Sequence, residues 1–141
     1  MLFGERLRAA AAGAPSLAEA LRRMGPAYLA FAREEPAYFA AMFEGGPSPD
    51  AHPDLREAGE RAFGILRAAA DAVVREAPPE RRPPAAMLAL HVWSMAHGIA
   101  SLFGRGDGTR RRLPMEPGEL LEAGLLVYLD GLGLRPGSKD S

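Results

Sequence analysis

PPAAMLALHVWSMAHGIASLFG, residues 83–104, decides how the rest of the chain is read. The stretch holds no Asp, Glu, Lys or Arg, although a quarter of the chain is charged, and it lies between Arg81-Arg82 and Arg105. Pro83 and Pro84 suit the first turn of a helix, where a missing N–H costs nothing. Gly104 and Gly106 suit its end. Apolar residues recur at helical spacing on two opposite faces. One face reads Leu88, Val92, Met95, Ile99 and Leu102; the other reads Ala86, Leu90, Trp93, His97, Ala100 and Gly104. A surface helix carries one apolar stripe, whereas a helix apolar all round is buried on all sides. The stretch therefore predicts a helix with neighbours in front and behind. Its length matches the ~20 residues that cross a bilayer core. Two histidines, two serines, a central Trp93, Gly98 and arginines at both ends speak instead for a buried helix without a membrane.

The remaining composition narrows the classes. A chain of 141 residues makes one domain, residues 1–141, with room for a proper core. A net charge of −1 gives no electrostatic footprint for nucleic acid. Cysteine is absent, so there is no disulfide framework, thiolate metal site or cysteine nucleophile, which fits a cytoplasmic protein. The N-terminal MLFGERLRAAAAG is interrupted by Glu5, Arg6 and Arg8 and is no secretory signal.

In chain order, residues 2–12 read as a helix with Phe3, Leu7, Ala10 and Ala11 on one face. Gly13-Ala14-Pro15 breaks it, and Ser16 with Glu19 forms a capping box. A helix from Leu17 to about Glu34 follows, with Leu17, Leu21, Met24, Tyr28, Phe31 and Ala32 on one face. Pro26 within it predicts a kink, or a division into two helices. Pro36 starts a short helix carrying Tyr38, Phe39, Met42 and Phe43, and residues 45–53 form a loop. Asp54 and Glu57 form a second capping box ahead of a helix from Leu55 to Ala77. Residues 78–84 make a stiff turn into the opening stretch. Residues 105–118 read as a basic loop with Arg110, Arg111 and Arg112, and Pro117 starts a last helix to about Gly131. Residues 133–141 read as a flexible tail. No period-2 run competes, so the fold class is all-α with about six helices.

No catalytic constellation emerges. His91 and His97 are six apart, on different sides of one helix, and no HExxH or carboxylate cluster accompanies them or His52. Ser94 and Ser101 lack a nucleophile elbow. The glycines at 104–108 lack the strand and the Lys-Ser/Thr of a phosphate loop. The expectation is no enzyme, no metal and no cofactor. The aromatic residues Tyr28, Phe31, Phe39, Phe43, Phe63 and Trp93, with Met24, Met42, Met87 and Met95, come from four helices. They fill a core or, beside a kinked helix, wall a pocket for an apolar molecule.

Trp93, His97 and Gly98 within HVWSMAHGIASL resemble the Trp-His-Gly motif of a C-terminal domain of TetR-type transcriptional regulators. AYLAFAREEPAYFAAMF, residues 27–43, is similar to a second segment of that family. The resemblance spans roughly residues 2–132. It implies a homodimer whose last two helices, 85–104 and 117–131, join their mates in a four-helix bundle. It also implies a small hydrophobic effector in a cavity bounded by helices 17–33, 54–77 and 85–104. On that basis the expected ligand-binding residues are Tyr28, Phe31, Phe63, Leu66, His91 and Met95. The expected dimer-interface residues are Trp93, His97, Ala100, Leu121, Leu125 and Tyr128. Which face of helix 85–104 meets the partner stays open. The family's N-terminal helix-turn-helix domain has no counterpart before Met1, so DNA becomes a partner only if such a domain is supplied. The alternatives are a stand-alone helical module without ligand, or a truncated regulator unable to bind DNA.

Overall fold

The computed structural model describes residues 3–37, 39, 53–103 and 114–134. Among the described residues there are five α-helices and no strand: α1 Phe3–Ala11, α2 Leu17–Glu34, α3 Pro53–Glu76, α4 Ala85–Phe103 and α5 Pro117–Gly131. A single 3-10 turn, Pro79–Arg81, stands between α3 and α4. The all-α expectation holds. Of the expected short helix after Pro36, Phe39 is described, and its amide donates to the Glu35 carbonyl at 2.9 Å. Tyr38, Met42, Phe43, His52, the loop before Pro53 and the arginine triplet lie outside the described residues.

The helix ends show why these boundaries hold. Ser16 is extended, and its Oγ accepts the Glu19 amide at 3.0 Å, as an N-cap should. The reciprocal half of the box is absent: the Glu19 carboxylate turns to Arg22 and Arg23 instead. Helix α2 runs through Pro26 as one element of 18 residues, with Pro26 on its exposed side. Helix α3 begins at Pro53, so Asp54 lies inside its first turn rather than ahead of it. Its C-terminus is closed by Arg82, whose Nε donates to the Ala77 carbonyl at 2.9 Å and whose Nη2 donates to that of Arg75 at 2.8 Å. A cation over the last carbonyls also suits the helix dipole. Helix α5 ends in a Schellman turn: the Leu134 amide donates to the Leu129 carbonyl and the Gly133 amide to that of Asp130. Gly133 has φ +84°, a conformation glycine adopts without strain. Gly133, the first residue of the expected tail, belongs to this cap, and Leu134 after it is buried.

Helix α2 is the hub; it packs on α1, α3, α4 and α5. Leu21, Met24, Tyr28 and Phe31 carry its buried face. Its approach to α5 is close because residue 25 is glycine: a Cβ there would lie 2.8 Å from Cδ2 of Leu121 and 3.2 Å from Cδ1 of Leu125. The opening stretch is covered by the protomer itself on one side only. Helix α4 packs on α2, α3 and α5 through Leu88, Ala89, Val92, Ala96 and Ile99, but its other side is open. Met87, Leu90 and Leu102 are each close to half exposed there. By length and composition α4 could cross a membrane. Its inner face, however, is knitted into the core by packing and by the hydrogen bonds described next.

Candidate functional site

Two features of the fold concern function: an aromatic chamber between the helices and an apolar face outside them. The chamber lies where α1, α2, α3 and α4 meet. Phe3 and Leu7 enter from α1, Tyr28 from α2, Ala62, Phe63 and Leu66 from α3, and Trp93 from α4. The rings contact one another in a chain. Phe3 stacks on Phe31 at 4.5 Å between centroids and meets Tyr28 edge-on at 5.5 Å. Phe39 lies edge-on to Tyr28 at 5.5 Å and stacks on His97 at 5.2 Å. Phe63 lies 5.5 Å from Trp93.

A polar knot is set into this apolar wall. Nε1 of Trp93 donates to the Tyr28 hydroxyl oxygen at 2.9 Å, and that hydroxyl lies 3.0 Å from Nδ1 of His97. The indole N–H can only donate, so the Tyr28 oxygen accepts it. The hydroxyl can then donate to Nδ1 in the His97 tautomer that leaves this nitrogen without a hydrogen. Tyr28 is buried, which gives both bonds weight, since an unmet polar group in such a place is costly. The cavity among these side chains measures about 20 Å³, room for about one water molecule. On the outer side of Phe3 a larger open groove of about 330 Å³ passes Glu5, Arg8, Ala58, Arg61 and Ile65. Phe3 of α1 borders both hollows.

The expected ligand-binding residues divide. Tyr28, Phe63 and Leu66 line the chamber. Phe31 sits one ring away, stacked on Phe3 beneath the Arg6 guanidinium. His91 and Met95 are placed elsewhere: His91 is exposed and bonded to Tyr128, and Met95 faces Gly124 of α5. The expected interface residues divide as well. Trp93 and His97 turn inward to Tyr28. Leu121 and Leu125 are 0% and 1% exposed, so they have no surface left to give a partner. Ala100 is half-buried against the core, and Tyr128 stands at the edge of the outer face.

That outer face runs over α4 and α5. Met87, Leu90, His91, Ser94, Gly98 and Leu102 form it on α4; Ala123 and Val127 continue it on α5, and Val127 is 73% exposed. No charged residue occurs anywhere on α4. On α5 exposed Glu119 and Asp130 stand four residues before Ala123 and three after Val127, on the same side of the helix. Glu122 pairs with Arg22 of α2 at 2.8 Å, in a network where Arg22 also holds Glu19 at 2.6 Å. Glu19 is the single buried charged residue among those described. The Arg22 hydrogen bond holds its carboxyl below the usual value, against the opposing effect of burial. Sequence spacing offered this pairing, since Arg22 and Arg23 stand three and four residues after Glu19 on one helix. The capping reading of Glu19 obscured it.

The sequence model of a known family, tetracyclin repressor-like C-terminal domain, matches residues 21–128. The chain belongs to the tetracyclin repressor-like C-terminal domain family. The match takes in α2 through most of α5 and hence every chamber residue except Phe3 and Leu7. No curated protein and no solved structure matches the chain. The family is regulatory and not enzymatic, and its domains typically pair and bind small ligands.

Proposed function

We propose that this tetracyclin repressor-like domain, of the Trp-His-Gly type, is the effector-binding and dimerisation domain of a cytoplasmic transcriptional regulator. The observation that carries the reading is the separation of two apolar regions on one helix. The inner side of α4 gives Trp93 and His97 to the chamber, and its outer side carries no charge and is left open. An exposed apolar face of this kind marks an interaction surface. Its occupant is a second copy of the chain. Small residues (Ser94, Gly98, Ala123) alternate with Met87, Leu102 and Val127, so one surface offers both the knobs and the holes that a two-fold contact needs. DNA contact belongs to a helix-turn-helix module outside these helices.

The effector is a small apolar or aromatic molecule, and entry requires the chamber to expand from its present ~20 Å³. Phe3 and Leu7 are its wall on the α1 side, and α1 has the open groove behind it. Expansion therefore displaces α1 outward, and the displacement is available to whatever α1 leads to. A ligand moves this equilibrium only by the difference in its affinity for the two states. The chamber's small size favours one other reading: a helical dimerisation module whose aromatics fill a core and bind nothing.

Titration of the full chain with 2-naphthol as an aromatic probe, read by the fluorescence of Trp93, separates the two. Trp93 is the single tryptophan and lines the chamber. Saturable quenching with one site per protomer, lost in Ala62→Leu, which fills the chamber, supports the effector reading. Linear, non-saturating quenching supports the module. Sedimentation equilibrium at micromolar concentration tests the pairing, and a monomer there overturns it.

A further inference from the structure

The polar side chains in the chamber's wall are Tyr28 and Trp93, and they are bonded to each other; the remaining wall residues are Phe, Leu and Ala. The Tyr28 hydroxyl accepts the indole N–H at 2.9 Å and meets Nδ1 of His97 at 3.0 Å, so it is engaged on two sides. Among the described residues no buried side-chain nitrogen or oxygen lacks a partner. A guest in the chamber therefore finds no side-chain donor or acceptor waiting for it. What it does find is rings: Phe3, Tyr28, Phe63 and Trp93 present faces and edges on which another ring packs well.

No charged side chain lines the chamber. Arg6 of α1 lies over the Phe31 ring, 5.7 Å from its centroid, and is held by Glu34 at 2.9 Å. Arg8 and Arg61 border the outer groove. Phe63 and Trp93 are half-buried where the other wall residues are buried, so the chamber reaches the surface between α3 and α4. Glu60 and Arg67 flank Phe63 at helical spacing beside that opening; both are exposed and their charges are opposite, so together they favour neither sign. A charged group entering the chamber leaves water without a counter-ion, which is strongly unfavourable. A hydroxyl gives up its bonds to water and gains none.

We propose that Tyr28 sets the specificity of the chamber: by occupying Trp93 and His97 it makes the preferred effector an uncharged, single-ring aromatic hydrocarbon, and each hydroxyl or charge on the guest lowers affinity. The inference rests on the effector reading above. A single ring asks for the least expansion of a cavity of about 20 Å³. The selection against polar groups resides in one oxygen atom. In Tyr28→Phe the indole N–H of Trp93 loses Tyr28 as its acceptor. A guest hydroxyl then supplies an oxygen in its place, because the indole N–H can only donate. The variant is therefore more tolerant of a hydroxyl than the wild type, while a carboxylate or an ammonium group still meets no counter-ion.

The test is a titration of the full chain at pH 7.0 with ethylbenzene, benzyl alcohol, benzylamine and benzoate, read by proton–nitrogen NMR. Trp93 is the single tryptophan, so its indole N–H gives one unambiguous signal in the chamber wall. In the wild type ethylbenzene is expected to shift that signal saturably, with a Kd at least about tenfold below that of each polar probe. In Tyr28→Phe, with its helices checked by far-UV circular dichroism, the ratio of the benzyl alcohol Kd to the ethylbenzene Kd falls at least about threefold. A polar probe whose wild-type Kd lies within that tenfold of ethylbenzene overturns the ligand class, and this ranking needs no variant. A ratio that falls less in Tyr28→Phe overturns the role of Tyr28. If none of the four probes shifts the signal saturably the proposal falls, and the 2-naphthol titration decides separately whether the effector reading falls with it.

Discussion

Tyr28 is where single atoms matter most. Its hydroxyl is shared between the Trp93 indole and the His97 ring, so Tyr28→Phe deletes one oxygen and strips two partners of a bond. Leaving buried polar groups unmet costs about 1–3 kcal/mol. The expected outcome is a loss of that size in urea unfolding, with an altered Trp93 emission in the folded state. A second residue-scale prediction concerns Glu19. Its folded value lies below the ordinary 4.5 because Arg22 hydrogen-bonds the charged form. A depressed carboxylate contributes stability that is present above its unfolded value and is lost as pH falls through the folded one. Stability should therefore drop on acidification below about pH 4.5. In Glu19→Gln that part of the drop disappears, and stability at pH 7 falls by about 1–3 kcal/mol. Thermal melts at pH 7, 5 and 3.5 check both statements. The pairing of Glu19 with Arg22 and Arg23 was offered by helical spacing, but the polar knot was not legible in the sequence. Tyr28, Trp93 and His97 could each be named as functional, but nothing in their spacing joins a residue of one helix to two residues 65 and 69 positions later.

At the scale of elements the sequence was more informative, because helix ends are written in local chemistry. Ser16 caps α2, Pro117 opens α5, and the absence of charge across 83–104 marks α4. What local chemistry could not supply was orientation. Members of both apolar stripes of α4 turn inward, Leu88, Val92 and Ile99 of one and Trp93 and His97 of the other, and the open face centres on Met87, His91, Ser94 and Gly98, which belong to neither. The same holds for Leu121 and Leu125. They read as an interface stripe and are instead the surface on which Gly25 lies. That contact yields a prediction about two elements at once. Gly25→Ala gains roughly 1 kcal/mol of helix propensity. It also sets a methyl 2.8 Å from Leu121 and 3.2 Å from Leu125, which forces α5 off α2 or Leu121 off its rotamer, at about 1–3 kcal/mol. The net expectation is destabilisation. Gly64→Ala in α3 has nothing within 4 Å and gains propensity without a clash. Chemical denaturation of the pair should therefore give shifts of opposite sign.

For the whole molecule, the open face of α4 and α5 ties folding to association. If two copies unfold together, the midpoint of thermal unfolding rises with protein concentration, because mass action favours the paired state. Val127 isolates this effect. It is 73% exposed in the protomer, so replacing it removes almost no intramolecular packing. Val127→Glu sets a carboxylate in the apolar face, and symmetry sets a second one opposite. An unpaired charge buried at a contact costs roughly 3 kcal/mol or more, and each 1.4 kcal/mol is a factor of ten in Kd. Dimerisation should weaken by at least about 100-fold. The helical circular dichroism spectrum should stay unchanged, and the melting midpoint should lose its dependence on concentration. If the variant melts with the concentration dependence of the wild type, the face is not where two copies meet. If both melt at one temperature at every concentration, the chain folds as a monomer and the apolar face has another occupant. The comparison with Leu121→Glu sharpens the reading, because Leu121 is fully covered by α2 within the protomer and a charge there should unfold the chain instead of separating two folded copies.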